Sequence, residues 1–352
     1  MADITKIKKA ALVATNILDQ EVRNHYHCTP MTGRKSNEAQ AFAGGFCLVF
    51  PMIENGGSKK IGYRVWYIDN LNHQLLQIAK EVGRELPKIK LPYFVGYEYL
   101  DEAINVEGDH IPGVKMEWVE GETLDAYIKN HRSSSDLGRL ADAFLTMCRD
   151  LTSAGISHGD LSNSNILVIR NGEIRLVDYD SLYLPTMNNR YNQTTTGQPA
   201  FQHPKRVSGL PMTEKDDCFS QLVIYLSLIA IASNTSLIDN IDDQELLFNN
   251  LELRSVNDFR NSRAYRAISS INDPKVRACL SALETSIAGP LSAVPSLVQV
   301  LDGLSGEGPK PISQVVMFRN KNYCPQCGTK YPYEHSAFCN QCQHPREVPK
   351  TW

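Results

Sequence analysis

The chain has 352 residues, a formal net charge of −3 and 42% hydrophobic residues. This length favours two domains, or one large two-lobed domain with an appendage, and the charge gives no global field that would attract nucleic acid or an anionic membrane. The longest apolar run, Leu222 to Ala232, is too short to span a membrane. Because Met1 to Lys9 has no apolar core of a signal peptide and five of the nine cysteines are scattered singly, we expect a cytoplasmic location.

The first part of the chain is predicted to contain mostly strands. We assign residues 1–38 to an N-terminal extension with a short helix between Ile4 and Asp19. A β-hairpin is expected next, from Gln40 to Phe50 and from Ile61 to Tyr67, with a Gly-containing loop between its strands. Further strands are expected near residues 91–95, 97–100, 104–107 and 113–119.

Helical periodicity dominates elsewhere. Leu71 to Leu86 has a helical pattern, and a second helix, over residues 137–151, is predicted to end at Gly155. The apolar run from Leu222 to Ala232 indicates a buried helix, and residues 238–304 alternate between helical segments and turns. The second half of the chain is therefore expected to be rich in α-helix.

A β-hairpin with polar ends is predicted between these helices. Two β-prone runs flank Asn171-Gly172, which is the strongest short-range signal for a hairpin. A two-residue loop would place Asn165 opposite Asp178, with their Cβ atoms about 5 Å apart, and Asp160 precedes Asn165 closely. Three oxygen ligands converging in this way suit Mg²⁺ that carries a phosphate. The plainer alternative is an Asn that caps a turn between two solvated carboxylates.

The C-terminal segment carries a metal-binding pattern. After a linker rich in Gly, Ser, Pro and Lys, Cys324, Cys327, Cys339 and Cys342 follow the spacing C-x2-C-x11-C-x2-C. Four thiolates at this spacing predict a closed, tetrahedral Zn²⁺ site, which stabilises a segment too short to fold on its own core. We call this segment the zinc ribbon. Since such a site has no open position, we expect the ribbon to contact another macromolecule, and its composition is compatible with nucleic acid as well as protein.

The central motif resembles that of a known family. His158-x-Asp160-Leu161-x3-Asn165 is similar to the catalytic loop H-x-D-L-x-x-x-N of the protein kinase fold, and Val177-Asp178-Tyr179-Asp180 is similar to the D-F-G segment with two changes. The resemblance implies that Asp160 is the catalytic base. It also implies that Asn165 and Asp178 bind the metal ions that accompany ATP.

The resemblance implies nucleotide contacts as well. Residues 42–49 resemble the family's glycine-rich loop G-x-G-x-x-G-x-V but match only its central Gly, with Gly44, and its closing Val, with Val49. Gly44 and Gly45 would bring backbone amides close to a phosphate, although a Gly pair beside a strand is as often a turn. Residues 115–121 resemble the linker between kinase lobes, so the backbone of Glu117 and Val119 would pair with adenine.

Arg64 is the most consequential departure from the family pattern. It stands where the phosphate-binding Lys is expected, and Arg is longer and planar, so the two are not interchangeable. The helix over residues 71–86 should supply its acidic partner, for which Glu81 is the candidate and Gln77 the alternative. An ordinary strand Arg on a solvated face is the plainer interpretation. Asp217 resembles the buried Asp that anchors the catalytic loop, or it is a carboxylate that favours a helix dipole.

The predicted fold class is therefore α+β, a two-lobed protein-kinase-like fold with a β-rich small lobe and an α-rich large lobe, plus a small C-terminal zinc ribbon. The expected boundaries are 1–38 for the N-terminal extension, 39–116 for the small lobe, 117–303 for the large lobe, 304–319 for the linker and 320–352 for the ribbon. The arrangement resembles a bacterial group of kinase-like proteins with C-terminal zinc ribbons. That resemblance implies ATP and Mg²⁺ as cofactors, and the cysteine spacing adds Zn²⁺.

Three function classes are compatible with this pattern. The first is an ATP- and Mg²⁺-dependent Ser/Thr protein kinase that acts on protein substrates. The second is a pseudokinase scaffold, favoured by Arg64, the lost glycines and Asp180 in place of the family's Gly. The third is a kinase of small molecules such as aminoglycosides or choline. The family resemblance further implies, by analogy alone, a von Willebrand A-type protein and a phosphatase as partners.

Overall fold

A computed structural model of the chain describes residues 3–67, 73–188, 190–242 and 244–304. The described residues form a sheet-rich small lobe and a helical large lobe, which confirms the predicted two-lobed kinase-like architecture. The predicted zinc ribbon lies outside the described residues. The small lobe consists of α1 (Ile4–Ala10), α2 (Gln20–His25), β1 (Tyr26–Cys28), β2 (Phe42–Ala43), β3 (Cys47–Glu54), β4 (Lys60–Trp66), α3 (His73–Glu85), β5 (Tyr97–Val106) and β6 (Asp109–Glu117).

The small-lobe sheet has the strand order β1-β3-β4-β6-β5, with β2 paired to β3, and all of these pairings are antiparallel. The side chains of β3 alternate, and Leu48, Phe50 and Met52 point to one buried face, as the period of a strand requires. Strand β4 lies in the middle of the sheet. It carries Arg64 opposite Val49 on β3 and Val114 on β6.

The N-terminal segment is an integral part of this lobe. Strand β1 pairs with β3, and Ile7, Ile17 and Val22 are fully buried against the same face as Leu48 and its neighbours. The predicted extension over residues 1–38 therefore does not stand apart, and the small lobe begins before residue 39. The physical reason is that the large apolar residues on this face of β3 would otherwise be exposed to solvent, and the first two helices bury them.

The large lobe is built around two long helices. Its elements are β7 (Glu122–Thr123), α4 (Leu124–Asn130), α5 (Ser134–Ala154), β8 (Ile166–Val168), β9 (Ile174–Leu176), α6 (Cys218–Ser233), α7 (Val256–Asn261), α8 (Arg263–Ser269), α9 (Pro274–Ala288) and α10 (Leu297–Asp302). Helix α5 ends at Gly155 with φ +65°, as predicted, because a left-handed residue there closes the last turn. Helix α6 is apolar on all sides and buried from Cys218 to Leu228, which confirms the predicted buried helix.

The hairpin formed by β8 and β9 differs from the prediction by one position. The register pairs Ile166 with Leu176, so the Asn165 carbonyl accepts from Val177 N at 3.1 Å and Asn165 is not opposite Asp178. The loop contains three residues, because Gly172 has φ +79° and donates to the Ile169 carbonyl at 3.1 Å. An Asn-Gly pair serves this type of loop, a turn followed by a left-handed residue, as readily as a two-residue turn.

Candidate active site

The catalytic loop is held from below by helix α6. The carboxylate of Asp217, at the start of that helix, accepts hydrogen bonds from the backbone N–H groups of His158 and Gly159, the latter at 2.8 Å. Asp217 thus anchors the loop, as the family resemblance implied. The buried ring of His158 donates from Nε2 to the Val177 carbonyl at 2.9 Å. Burial lowers the pKa of His158, which favours the neutral ring in this positioning role.

Gly159 allows this loop to pass the segment that follows β9. Its φ is +77°, and a Cβ at this position would lie 2.2 Å from the Ser181 carbonyl oxygen. We expect Gly159→Ala to lower the free energy of unfolding by about 2–4 kcal/mol, from backbone strain and a collision with main chain. Urea denaturation measures this. Gly209→Ala is the matched control, since Gly209 has φ +85° but no atom within 4 Å of its Cβ position, and it should lose only about 1 kcal/mol.

Asp160 lies at the mouth of a cleft of about 480 Å³ between the lobes. Its Oδ1 accepts from the backbone N–H of Gln198 at 2.9 Å, and its carbonyl accepts from Asn165 Nδ2, also at 2.9 Å. Burial raises the pKa of Asp160 to about 6, against the hydrogen bond from Gln198. The side chain is therefore ionised at neutral pH, and its pKa is close enough to the surrounding pH for it to accept a proton.

Asp178 reaches the same cleft by an unusual backbone conformation. Its φ is +67°, a region that Asp tolerates better than most residues. The residue lies two positions after the end of β9, and its side chain lines the cleft with an exposed fraction of 50%. The structure thus brings Asp160 and Asp178 together at one cleft, with Asn165 bonded to the backbone of the first.

Arg64 is buried at the back of this cleft, with an exposed fraction of 3%. Its guanidinium donates to Asp178 Oδ1 at 3.0 Å, to Asp180 Oδ2, and from Nε to Cys47 Sγ at 2.9 Å. Burial acts to lower the pKa of Arg64, but the charges of Asp180 and Asp178 raise it well above its usual value. The solvated-face interpretation is therefore wrong, because Arg64 forms the buried centre of an ion-pair network.

Glu81 does not form the predicted pair with Arg64. Its carboxylate is buried, accepts two hydrogen bonds from Arg190 Nη2 at 2.6 and 2.7 Å, and accepts one from the Tyr191 hydroxyl at 2.9 Å. The alternative, Gln77, lies on the exposed side of α3. Helix α3 is thus joined to the segment after Asp180, and the position beside Arg64 that the family gives to a helix carboxylate is held by Asp180.

Only two of the remaining predicted nucleotide contacts line the cleft. Gly44 and Gly45 line it directly, whereas Val49 lies opposite Arg64 in the sheet. Glu117 ends β6, donates its backbone N–H to the Gly96 carbonyl at 2.9 Å and lines a separate pocket with Tyr97. Val119 packs, partly buried, against the main core.

Three residues of this site were missed by the sequence reasoning. Asp180 was noticed only as the loss of a family Gly, although an added carboxylate beside an Arg at the Lys position was a usable signal. Arg190 had no motif at all, since its contact with Glu81 joins residues 109 positions apart. The Gln198 amide, which orients Asp160, was also missed, because this contact joins residues 38 positions apart.

The predictions about zinc and about a membrane span can be compared only with the described residues. The zinc ligands predicted at Cys324, Cys327, Cys339 and Cys342 lie outside the described residues. In the described part of the chain, no group of three or more His, Cys, Asp or Glu side chains is arranged to hold a metal ion. The pair Asn165 and Asp178 is a different donor set, one carboxylate and one amide. None of the described helices is long and apolar enough to cross a membrane.

Comparison with known proteins agrees with this geometry. The probable serine/threonine-protein kinase kinX of Dictyostelium discoideum is 28% identical over 160 residues, which is 44% of this chain and 14% of that protein. The MAP kinase kinase MKK1/SSP32 of Saccharomyces cerevisiae is 29% identical over 126 residues, 34% of this chain and 24% of that protein. The dual specificity mitogen-activated protein kinase kinase mek-2 of Caenorhabditis elegans is 30% identical over 155 residues, 41% and 36% respectively.

The matched segments thus span well under two thirds of the length of these eukaryotic relatives. A model of the protein kinase domain matches residues 76–285, which is more than half of the 352 residues. This range includes the catalytic loop, the Asp178 segment and the helix that anchors them. The chain therefore belongs to the protein kinase domain family.

Proposed function

We propose that the chain is an ATP- and Mg²⁺-dependent protein kinase that phosphorylates Ser or Thr hydroxyls of protein substrates, itself included. The observation that carries the proposal is the position of Asp160 and Asp178 on one cleft, with Asn165 hydrogen-bonded to the backbone of Asp160. The names of the similar proteins, a serine/threonine-protein kinase and two MAP kinase kinases, support the same reaction.

The residues at the cleft fit a hydrated Mg²⁺ ion bound with ATP. Asp178 offers a half-exposed carboxylate. Asn165 donates from its amide nitrogen to the Asp160 carbonyl, so its amide oxygen is the atom that would face a cation. Hard oxygen donors of this kind suit Mg²⁺. Asp178 and Asn165 would hold the metal, and Gly44 and Gly45 would place backbone amides near the phosphates.

Bound ATP and Mg²⁺ would supply the phosphoryl group and the positive charge that stabilises its transfer. Asp160 would orient the substrate hydroxyl and accept its proton, while the Gln198 amide fixes the carboxylate. Arg64 donates one N–H from each of its nitrogens to Asp178, Asp180 and Cys47. The guanidinium has five N–H groups, so its two terminal nitrogens each keep a donor for phosphate oxygens.

Calorimetry with ATP and ADP, with and without Mg²⁺, tests this proposal. We expect Mg²⁺-dependent ATP binding that Asp178→Ala abolishes, together with transfer of the γ-phosphate to Ser or Thr. Glu173→Ala, on an exposed carboxylate of the β8–β9 loop, is the control and should bind ATP as the unaltered chain does. An unaltered chain that binds no nucleotide under either condition would refute the assignment.

A pseudokinase is the second candidate, and the Arg64 network is the observation that favours it. The carboxylate expected to bind metal is paired with Arg64 at 3.0 Å, and Asp180 adds a second negative charge beside it. If this network were permanent, nucleotide would bind weakly or not at all. Binding without transfer in the calorimetry and labelling experiments would select this candidate. No observation favours a small-molecule kinase, the third class.

The proposal extends to the parts of the chain outside the described residues. Cys324, Cys327, Cys339 and Cys342 would bind one structural Zn²⁺, and the ribbon would recruit substrates or partners. A von Willebrand A-type protein and a phosphatase are proposed by analogy with the resembling group, and a nucleic acid partner for the ribbon is the alternative. A cytoplasmic location is proposed from the scattered cysteines.

The pH dependence of the reaction follows from Asp160. Because burial raises its pKa to about 6 and only the ionised form accepts a proton, kcat/KM should be constant above about pH 7 and fall about tenfold per pH unit below 6. Burial also raises the pKa of Asp180, so protonation there could steepen the fall. Repeating the pH profile with Asp180→Asn separates the two groups. An acid limb near pH 4 in both proteins would contradict the assignment.

A further inference from the structure

We infer that a pocket beside the catalytic Asp160 binds an anionic side chain of the peptide substrate, within one or two residues of the target hydroxyl. This inference rests on the proposed kinase function and defines its substrate class. The pocket has a volume of about 190 Å³ and is lined by Thr196, Gln202, Arg206, Leu253 and Arg254, among others. It can accept one carboxylate or phosphate group with the atoms that connect it to a chain.

Two residues that line the pocket, Arg206 and Gln202, each have a buried donor without a partner in the described part of the chain. Arg206 has an exposed fraction of 7% and Gln202 of 6%. Among the described residues, neither Arg206 Nη2 nor Gln202 Nε2 has a hydrogen-bond partner. An unpaired buried donor is costly because it loses its hydrogen bonds to water, so two of them among the lining residues of one pocket indicate a ligand that accepts hydrogen bonds.

The charge of the pocket selects an anion over a neutral acceptor. The hydrogen bonds of Arg206 go to uncharged oxygens, the Gln193 and Gln202 side-chain amides and the Asp216 carbonyl. The carboxylates of Asp160, Asp216 and Asp217 interact with Arg206 only through space, without a hydrogen bond. Arg254 adds an exposed guanidinium at the rim. A carboxylate or phosphate would receive charge-assisted hydrogen bonds, which are about twice as strong as neutral ones.

The position of the pocket connects it to the reacting hydroxyl. Gly197, with φ +75°, lies between them, because a Cβ there would fall 2.5 Å from Asp160 Oδ1 and 2.7 Å from Gln202 Nε2. Thr196 lines both the catalytic cleft and the pocket. Since an extended peptide advances about 3.3 Å per residue, a residue one or two positions from a hydroxyl on Asp160 would reach the pocket.

Peptide binding tests this inference without requiring catalysis. Fluorescence anisotropy would compare peptides in which the target Ser is replaced by Ala and one neighbouring residue, on either side, is Glu, Gln or Lys. We expect the unaltered chain to bind the best Glu peptide about 10-fold more tightly than its Gln counterpart. Equal affinities, or no peptide binding, would overturn the inference.

Three variants assign the preference to the pocket. Gln202→Leu should reduce the preference for Glu, and Arg254→Glu should reverse it in favour of Lys. Arg206→Gln is avoided because removal of a buried cation can prevent folding. Arg263→Ala removes an exposed Arg at the start of α8 and should keep the full preference. A preference that survives both Gln202→Leu and Arg254→Glu would show that the pocket is not its source.

Parallel kinase assays keep this inference separate from the proposed function. If the Glu preference is found in binding and no peptide is phosphorylated, the pocket is supported and the kinase assignment fails. If Ser peptides are phosphorylated with equal kcat/KM whatever the neighbour, the assignment stands and the pocket inference fails.

A phosphate on Thr196 would place an anion of this chain itself at the pocket. Mass spectrometry after incubation with ATP would detect it. The peptide assignment would be overturned if the Glu preference disappeared once Thr196 is phosphorylated, while the Thr196→Ala variant kept the preference after the same incubation. The internal phosphate would then be the ligand of the pocket. A preference unaffected by incubation would support the peptide.

Discussion

Replacing Asp160 by Asn is expected to lower kcat about 10²- to 10⁴-fold, which is the contribution of a positioned general base, while the Kd for ATP stays within about threefold. Asn has almost the same shape and can still accept the hydrogen bond from Gln198 N, which is 2.9 Å from Oδ1 in the structure. It cannot accept a proton. Initial rates with labelled ATP and calorimetry on the same preparation measure the two quantities.

Asp239→Asn provides the control for this experiment. Asp239 is exposed on the large lobe and pairs with Arg132, so the substitution should change kcat by less than about twofold. If Asp160→Asn lost ATP binding in parallel with kcat, its role would be structural, since Asp160 also fixes the Gln198 amide. If it retained full kcat, another group would be the base.

The sequence predicted the residues of the site better than their connections. The catalytic loop, the hairpin and the buried helix α6 were predictable because each depends on local spacing. The one-position change in register was not, because Asn-Gly serves two loop types that differ only in whether Arg170 belongs to the loop. Asp178 still reaches the cleft, since its left-handed backbone turns the chain immediately after Val177.

Long-range ion pairs were beyond the reach of sequence spacing. The helical pattern over residues 71–86 made Glu81 a candidate acidic partner but did not determine which cation it would meet, and the partner is Arg190 in a segment with no recognisable motif. The N-terminal cover of the small lobe was missed for a similar reason. The buried face of β3 is formed by Leu48, Phe50 and Met52, and their alternation alone does not determine which segment of the chain covers it.

The Arg64 network provides the second large effect. We expect Arg64→Met to lower the free energy of unfolding by about 3–5 kcal/mol, the cost of breaking a buried ion pair by removing one partner. The side chain of Arg64 is 4% exposed and that of Asp180 14%, so the variant leaves Asp180 with no cation in a dry site. ATP binding should be lost as well, because the cation that faces the phosphates is gone. Urea denaturation and calorimetry measure these changes.

A double-mutant cycle identifies the partner of Arg64. Combining Arg64→Met with Asp180→Asn should give a coupling energy of about 2–3 kcal/mol, whereas combining it with Glu81→Gln should give less than about 0.5 kcal/mol. The reason is geometric, since Glu81 binds Arg190 and Tyr191 and Asp180 binds Arg64 directly. Both partner substitutions remove one carboxylate charge from a buried side chain, so each controls for the other.

The opposite ranking would show that Arg64 and Glu81 pair in the dominant solution state and that the arrangement described here is a minor one. With the expected ranking, Asp180 takes over the task that the family gives to a helix carboxylate, namely holding the phosphate-binding cation in place. This exchange would explain two departures from the family pattern together, Arg64 in place of Lys and Asp180 in place of Gly. The longer, forked Arg can reach two carboxylates after β9, whereas the Gly of the family pattern has no side chain to pair with a cation. Glu81 is then free to bind Arg190 and Tyr191. These residues belong to the segment that continues to Gln198, whose amide orients Asp160.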